Sequence, residues 1–302
     1  MTLVWILQRL GRPGQRRKLV RITLSGFFIV ALTALYLYVL LAYYLANNPL
    51  LVPVAFQHAR SILLVTAHPD DETLFFSPSI TYRRDDPHTQ RGLLVLSSGN
   101  YEGIGERRRQ EIHSSCSVLG IVPDRCVVLD NAELQDNPKK WWNEDLIKDL
   151  VAAHVQKWSV DLIITFDNGG VSGHINHRAV SAGVRKYITS TPQAPPAYTL
   201  QSTFLLRKYS SLIDLIPTVI PFSWRILKAI LTSPPASAAD GAHDLSALHG
   251  YNDKVLLVSP WRTYLVSRAA FRQHASQYSW DRSLYLVISR YMWFNNLNKL
   301  VS

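Results

Sequence analysis

The chain has 302 residues, 47 % hydrophobic and 18 % charged, with a formal charge of +10 and a pI near 9.6. That length admits one sizeable α/β domain plus an appendage, and the composition fits a folded core with or without a membrane segment. The positive balance suits nucleic acid, an anionic membrane face or an acidic substrate; no zinc-finger spacing or aromatic-interleaved basic groove is present, so nucleic acid is set aside as a partner.

Residues 1–23 form a basic tail holding Arg9, Arg12, Arg16, Arg17, Lys18 and Arg21. Residues 24–46, "LSGFFIVALTALYLYVLLAYYLA", carry no charge. A bilayer span needs about 20 mostly apolar residues, so this run reads as one N-terminal transmembrane anchor. Tyr43 and Tyr44 fall at its far end, where an interfacial belt belongs. A cleaved signal peptide fits less well, because the run is too long and a long basic stretch precedes it. Charge bias alone would keep the tail cytosolic and place the remainder in a lumen. The chain has no N-x-S/T sequon, a weak counterweight.

Residues 58–302 read as one domain. "SILLV" (61–65), "GLLVLSS" (92–98), "CVVLD" (126–130) and "DLIITF" (161–166) are short apolar strands. "YTLQSTFLL" (198–206) and "KVLLVS" (254–259) resemble further strands. Helical patterns cover 105–119, 144–158 and 174–187, and 261–287 reads as one helix before an aromatic tail. The stretch 211–231 is apolar with two prolines and either packs on the domain or dips into a membrane interface. Residues 232–250 are small, polar and rich in Pro and Gly, as in a flexible loop. Strands alternating with helices predict an α/β fold, a Rossmann-like, mostly parallel sheet covered by helices on both faces. Cys116 and Cys126 sit in no C-x-x-C and read as buried free thiols, with a disulfide as the alternative that the sequence does not indicate.

In such sheets chemistry gathers at the carboxyl ends of strands. "AHPDDE" (67–72) follows the first strand, and "DNGGVSGHINH" (167–177) follows the fourth. Asp70 and Asp71 are adjacent, so their side chains diverge: one suits a metal, the other the water beside it. His174 and His177 lie three apart, on one face if helical. Gly169, Gly170 and Gly173 give a loop able to approach a ligand closely. Taken singly, the acids read as helix caps and the histidines as a packed pair. Together, each after a strand of one sheet, they point to a metal site of two histidines and an aspartate, suited to catalytic zinc or to ferrous iron. "RRRQE" (107–111) reads by default as a solvated helix face, and His274 in "HASQ" has no function unless the fold brings it to the site.

"AHPDDE", "GNYEGIGERRRQEI", "TFDNGGVSGHINH", "RKYSSLIDL" and "HASQYSWDRSLYLVISRYM", in this order, resemble the N-acetylglucosaminyl-phosphatidylinositol de-N-acetylases, a branch of the LmbE-like zinc deacetylases. The resemblance spans roughly residues 60 to 300, with 232–250 as an insertion. It implies zinc on His68, Asp71 and His177, with Asp70 as general base. It implies His174 as the group that polarises or protonates at the reacting amide, and Arg108 as a substrate contact. It further implies N-acetylglucosaminyl-phosphatidylinositol as the substrate and an endoplasmic reticulum anchor with the catalytic part facing the cytosol, against the charge bias. The rival readings are a deacetylase of another N-acetylglucosaminyl conjugate, disfavoured by the anchor and the apolar 211–231 stretch, and a non-catalytic membrane scaffold, disfavoured by the intact ligand set.

Overall fold

A computed structural model describes residues 13–232 and 249–301; most of the expected 232–250 loop and the first half of the basic tail lie outside the described residues. Seven strands form one sheet in the order β3-β2-β1-β4-β5-β7-β6. They are β1 Ser61–Thr66, β2 Gln90–Val95, β3 Cys126–Val128, β4 Leu162–Phe166, β5 Ala197–Leu200, β6 Lys254–Val258 and β7 Phe294–Lys299. β1 to β5 pair in parallel, whereas β7 runs antiparallel to both β5 and β6. Every residue of β1 and β4 is buried, as expected of strands covered on both faces.

The strand order reverses at β1, with β2 on one side and β4 on the other. A crevice opens outside the carboxyl ends of strands at such a switch point, and both sequence motifs emerge there.

The longer helices are α1 Pro13–Val39, α2 Gly105–Leu119, α3 Glu144–Trp158, α4 Ile175–Ser190, α5 Ser223–Thr232, α6 Trp261–Phe271 and α7 Trp280–Ile288. Asn143 caps α3 by accepting from the backbone N–H of Asp145 and Leu146. α3 and α4 pack so closely that a Cβ on Gly183 would come within 2.4 Å of Ile147, so glycine is required there.

α1 begins before the expected anchor and continues through a π-helical turn, Leu40–Tyr44. Residues 14–44 are long and apolar enough to cross a membrane. The exposed Phe27, Phe28 and Ile29 mark its outer part, while Ala34, Tyr38 and Leu41 are buried against the domain.

The structure corrects three expectations. Cys116 and Cys126 are joined in a disulfide, with their Cα atoms 6.3 Å apart; the tight turn at Gly120, held by Ile121 N–H donating to Cys116 O, brings the end of α2 to the start of β3. The single helix expected over 261–287 is two, α6 and α7, because His274 and Ser276 leave the helical path to bond Glu72 and Glu111. The tail after α7 is not only aromatic but supplies β7. That strand reads "FNNLNK", and asparagine is poor strand material. Its first two asparagines are buried hydrogen-bonding groups: Asn295 accepts from Ser79 N–H and donates to Phe75 O, and Asn296 donates to Gln201.

Candidate active site

β1 ends at Thr66, and the chain turns at once through His68, Pro69 and Asp70 into the short helix Asp71–Leu74. Asp70 has φ 110°, a region that costs a non-glycine residue of order 1–3 kcal/mol. Two side chains hold it there. Its N–H donates to Glu72 Oε2 at 3.0 Å. Arg108, on α2, donates to Pro69 O at 2.5 Å and to Gly99 O at 3.1 Å, and its guanidinium reaches Asp70 Oδ2 at 3.6 Å. Arg108 thus braces the turn, and its buried Nε has no partner.

The second motif leaves β4 as a tight loop. Asp167 fastens it by accepting from Gly169, Gly170 and Ser202 N–H. Gly170 has φ 58°, and a Cβ there would press on the Cβ of His177 at 3.0 Å. Val171 is strained as well, with φ 63°. The expected helical pairing of His174 with His177 is replaced by a different geometry. His174 is the non-helical residue before α4 and His177 lies within it, yet their rings still meet at 4.7 Å.

The two loops bring four donors together. One ring nitrogen each of His68, His174 and His177 lies within 4.8 Å of the others. Asp71 Oδ1 is 3.2 Å from His177 Nε2, and its Oδ2 is 3.8 Å from His68 Nδ1. Asp71 Oδ2 also accepts from Ala67 and His68 N–H, at 3.1 and 2.8 Å. All four residues are close to the protein interior, buried or half-buried.

The outward nitrogens of two histidines are already used. His177 Nδ1 bonds Gly170 O at 3.1 Å, which leaves Nε2 facing Asp71. His68 Nε2 meets Asp136 at 3.2 Å, which leaves Nδ1 on the Asp71 side. A ligating histidine is commonly held in this way, with its second nitrogen on a carboxylate or carbonyl. His174 Nδ1 is buried without a partner. This donor set, two braced imidazoles, a carboxylate and an orphaned third imidazole, fits a divalent transition metal.

Electrostatics separate the two aspartates. Burial raises the Asp70 carboxyl above its ordinary value, and the neighbouring Asp71 adds to the rise, against the pull of Arg108. Burial pushes Asp71 the same way, but His177 and His68 outweigh it and hold Asp71 well below the carboxylate range. Burial, then the His177 and His68 rings, bring His174 down to about 4. One acid is therefore basic enough to take a proton while its neighbour stays ionised.

Several parts of the site were not singled out by sequence reasoning. Asp136 stands in a loop, "LQDNP", with no local pattern to mark it. Asn176, between the two histidines, sits 3.1 Å from His68 Nε2. Phe166, the last residue of β4, stacks on the His177 ring at 4.1 Å. His274 comes not to the mouth but behind the turn, where it bonds Glu72.

Residues 63–188 match the family model described as GlcNAc-PI de-N-acetylase (PIG-L). The N-acetylglucosaminyl-phosphatidylinositol de-N-acetylase of Bos taurus is 38 % identical over 240 residues, 79 % of this chain and 83 % of that protein. A Schizosaccharomyces pombe protein named as a probable enzyme of the same kind is 31 % identical over 241 residues, 80 % of this chain and 87 % of its own. In fold, the chain is similar to the N,N'-diacetylchitobiose deacetylase of Pyrococcus horikoshii, with a TM-score of 0.50 at 16 % identity over 85 % of this chain and 92 % of that one. From the motifs in their order, the sheet that positions them and these likenesses, the chain belongs to the PIG-L family of N-acetylglucosaminyl-phosphatidylinositol de-N-acetylases.

Proposed function

We propose that this protein hydrolyses the acetamide of N-acetylglucosaminyl-phosphatidylinositol, the de-N-acetylation step of glycosylphosphatidylinositol anchor biosynthesis, on the endoplasmic reticulum membrane with its catalytic domain in the cytosol. The observation that carries the reading is the contact of Asp71 with both His68 and His177, beside an Asp70 of raised proton affinity, in a chain of this family. His68, Asp71 and His177 are the ligands proposed for zinc, with ferrous iron as the alternative that the same donors suit. When bound, such an ion polarises the amide carbonyl and acidifies a water.

Asp70 is the residue proposed to take the proton from the attacking water as the water oxygen bonds the carbonyl carbon. The carbonyl oxygen gains charge as this bond forms. His174, neutral at pH 7 because its pKa lies near 4, offers an N–H to that oxygen. The C–N bond then breaks, acetate forms, and the amine leaves with a proton. A neutral His174 has none to spare at this pH, so the proton Asp70 acquired is the one returned. Arg108 keeps Asp70 on its strained backbone, and the guanidinium edge that meets Asp70 is its proposed contact with the sugar. An anchored enzyme also meets a lipid substrate within two dimensions.

The test is a deacetylation assay on the purified full chain with this glycolipid, untreated, after chelation, and after zinc add-back. Activity that is lost on chelation and regained with zinc supports the reading. Full activity after exhaustive chelation removes the metal from it, and no activity on the glycolipid in any arm removes the substrate.

A further inference from the structure

The stretch Ser211–Thr232 is apolar on two faces. It folds as the short helices Ser211–Asp214 and Leu215–Thr218, the turn Ile220–Phe222 and then α5. Phe222, Ile226 and Ala229 are buried against the domain. Ile220, Trp224, Leu227 and Leu231 follow one another at helical spacing and form a second, outward stripe. Ile220 and Trp224 are 68 % exposed and Leu231 75 %. A helix on the surface of a soluble domain carries one apolar stripe, not two. The cations of α5, Arg225 and Lys228, turn from the stripe to the domain. Arg225 pairs with Asp253 and donates to Tyr251 O, and Lys228 Nζ lies 3.4 Å from Tyr251 Oη. The stripe is therefore uncharged.

The anchor helix supplies the depth of this segment. From Arg16 to Val30 every residue of α1 is exposed, and its buried side chains are Ala34 and Tyr38. Ser211–Asp214 and Leu215–Thr218 pack against α1, so they cover it along this buried stretch. No Asp, Glu, Lys or Arg occurs between Arg21 and Arg60. A hydrocarbon layer takes up about 20 helical residues, so one that begins just after Arg21 extends to the neighbourhood of Leu41. Ala34 and Tyr38 fall inside that length, and the helices that cover them share their depth.

Ser211–Thr218 and Ile220–Thr232 meet at a 48° bend and are together long and apolar enough for a span. Pro221 has no N–H to continue the helical ladder, which accounts for the bend. Both pieces are tied to the domain. Asp214 pairs with Arg207 and Arg290, at 2.6 and 2.5 Å, and Ser211 Oγ donates to Val287 O. Arg225 holds the second piece. A segment fastened in this way enters one leaflet and returns rather than crossing.

We propose that Ser211–Thr232 is a second membrane element, lying beside α1 in the leaflet nearest the domain, with Ile220, Trp224, Leu227 and Leu231 in contact with lipid acyl chains. The inference rests on α1 as the membrane anchor, part of the reading above, and adds how the domain sits. The segment follows β5, whose outgoing residue Ser202 bonds Asp167 of the second motif loop. Its insertion brings the carboxyl edge of the sheet, with His174 and His177, toward the headgroups.

The test uses the full chain in liposomes of phosphatidylcholine with a minor fraction of phosphatidylinositol. The fluorophore NBD is attached in turn to Ile220→Cys, Leu227→Cys and Leu231→Cys, to Phe28→Cys on the exposed part of α1, and to Val122→Cys. Val122 is exposed and precedes β3, at the opposite edge of the sheet from β6. The unsubstituted chain gives the background from Cys116 and Cys126. All five positions are exposed, so the label displaces no core side chain. Two quenchers are read, acyl-brominated phosphatidylcholine and aqueous iodide.

The three stripe labels should be quenched by brominated lipid as strongly as the Phe28 label and several-fold more than the Val122 label, with iodide giving the reverse order. Iodide reaching the stripe as it reaches Val122 overturns the proposal. Protection from both quenchers would mean that protein, a second copy or another chain, covers the stripe, and overturns it as well. Lipid contact at Phe28 alone removes this inference and keeps the anchor, whereas lipid contact at neither removes both. Quenching needs no turnover, so a chain that failed to deacetylate the glycolipid would count against the deacetylase reading and leave these results unchanged.

Discussion

Glu72 Oε1 lies 2.7 Å from His274 Nε2, and neither side chain is exposed. Residues 202 apart in sequence thus meet directly behind the turn that carries Asp70. Glu72 Oε1 also accepts from Ser115 on α2, and Oε2 accepts from Asp70 N–H. The pair is the post on which the strained Asp70 backbone is hung, and its charge state governs fold stability. Burial disfavours both charges, but the partner wins in each case: His274 is raised above its ordinary 6.5 and Glu72 lowered below its ordinary 4.5.

The signs fix a pH window. The His274 contribution is full below pH 6.5 and fades as pH climbs through its raised native value. The Glu72 contribution is full above pH 4.5 and fades as pH falls through its lowered native value. Both are complete between pH 4.5 and 6.5. His274→Ala leaves a buried carboxylate unpaired and should cost about 3–5 kcal/mol there, read as a drop in thermal midpoint of roughly 6–12 °C. His274→Gln keeps a donor toward Glu72 and should flatten the pH profile more than it lowers the midpoint. A wild-type midpoint that does not respond to pH on either side of the window would sink this account.

Asp70 and the proposed metal ligands separate by what each variant keeps. His68→Ala or Asp71→Ala should lose both bound metal and turnover, because each removes a donor and uncovers its neighbours. Asp70→Asn should keep the metal and lose about 10²- to 10⁴-fold in kcat, the scale of one general acid–base group. Metal content per chain by mass spectrometry, beside kcat on the same samples, separates the two classes. Full activity in His68→Ala or Asp71→Ala refutes the ligand assignment, and loss of metal from Asp70→Asn would make that residue a ligand.

The sheet and the two motif loops were legible because their signals are local. Four continuously apolar strands, each followed by a turn or helix pattern, place the loops on one edge, and "HPDD" and "H-x-x-H" carry their chemistry within a few residues. What escaped depends on contacts between distant segments. β7 is written in asparagines whose side-chain bonds to Ser79, Phe75 and Gln201 cannot be seen along the chain. The break between α6 and α7 follows from His274 and Ser276 seeking Glu72 and Glu111, with no proline or glycine to announce it. Asp136 looks like any loop acid until β1 places His68 beside it.

Asp136 supplies a prediction of its own. Its carboxylate meets His68 Nε2 at 3.2 Å and holds the ring with Nδ1 toward Asp71. His68 in turn holds the Asp136 carboxyl below its ordinary value, against the opposing effect of burial. Removing such an outer partner commonly weakens metal affinity by about 10- to 100-fold. Asp136→Ala should therefore retain the fold and lose zinc at chelator concentrations that the wild type withstands, with saturating zinc restoring occupancy. Competition against a fluorescent chelator measures this directly. An unchanged zinc affinity would leave Asp136 with no part in holding His68.

The Cys116–Cys126 bond bears on the membrane orientation. It ties the end of α2 to the start of β3 across ten residues of sequence, a closure that contributes about 3 kcal/mol by loop entropy. Such bonds are rare in the cytosol, where thiols are kept reduced. A cytosolic domain would then carry two thiols, both buried and each packing as a small apolar group. In sealed microsomes, protease added from outside should digest the domain, and alkylation after rapid acid quench and denaturation should label both cysteines. Protection from protease together with an intact bond would place the domain in the lumen, where the six basic residues of the tail, counted by the positive-inside rule, also point. That outcome reverses the proposed orientation and leaves the chemistry at Asp70 untouched, since the bridge takes no part in holding His68, Asp71 or His177.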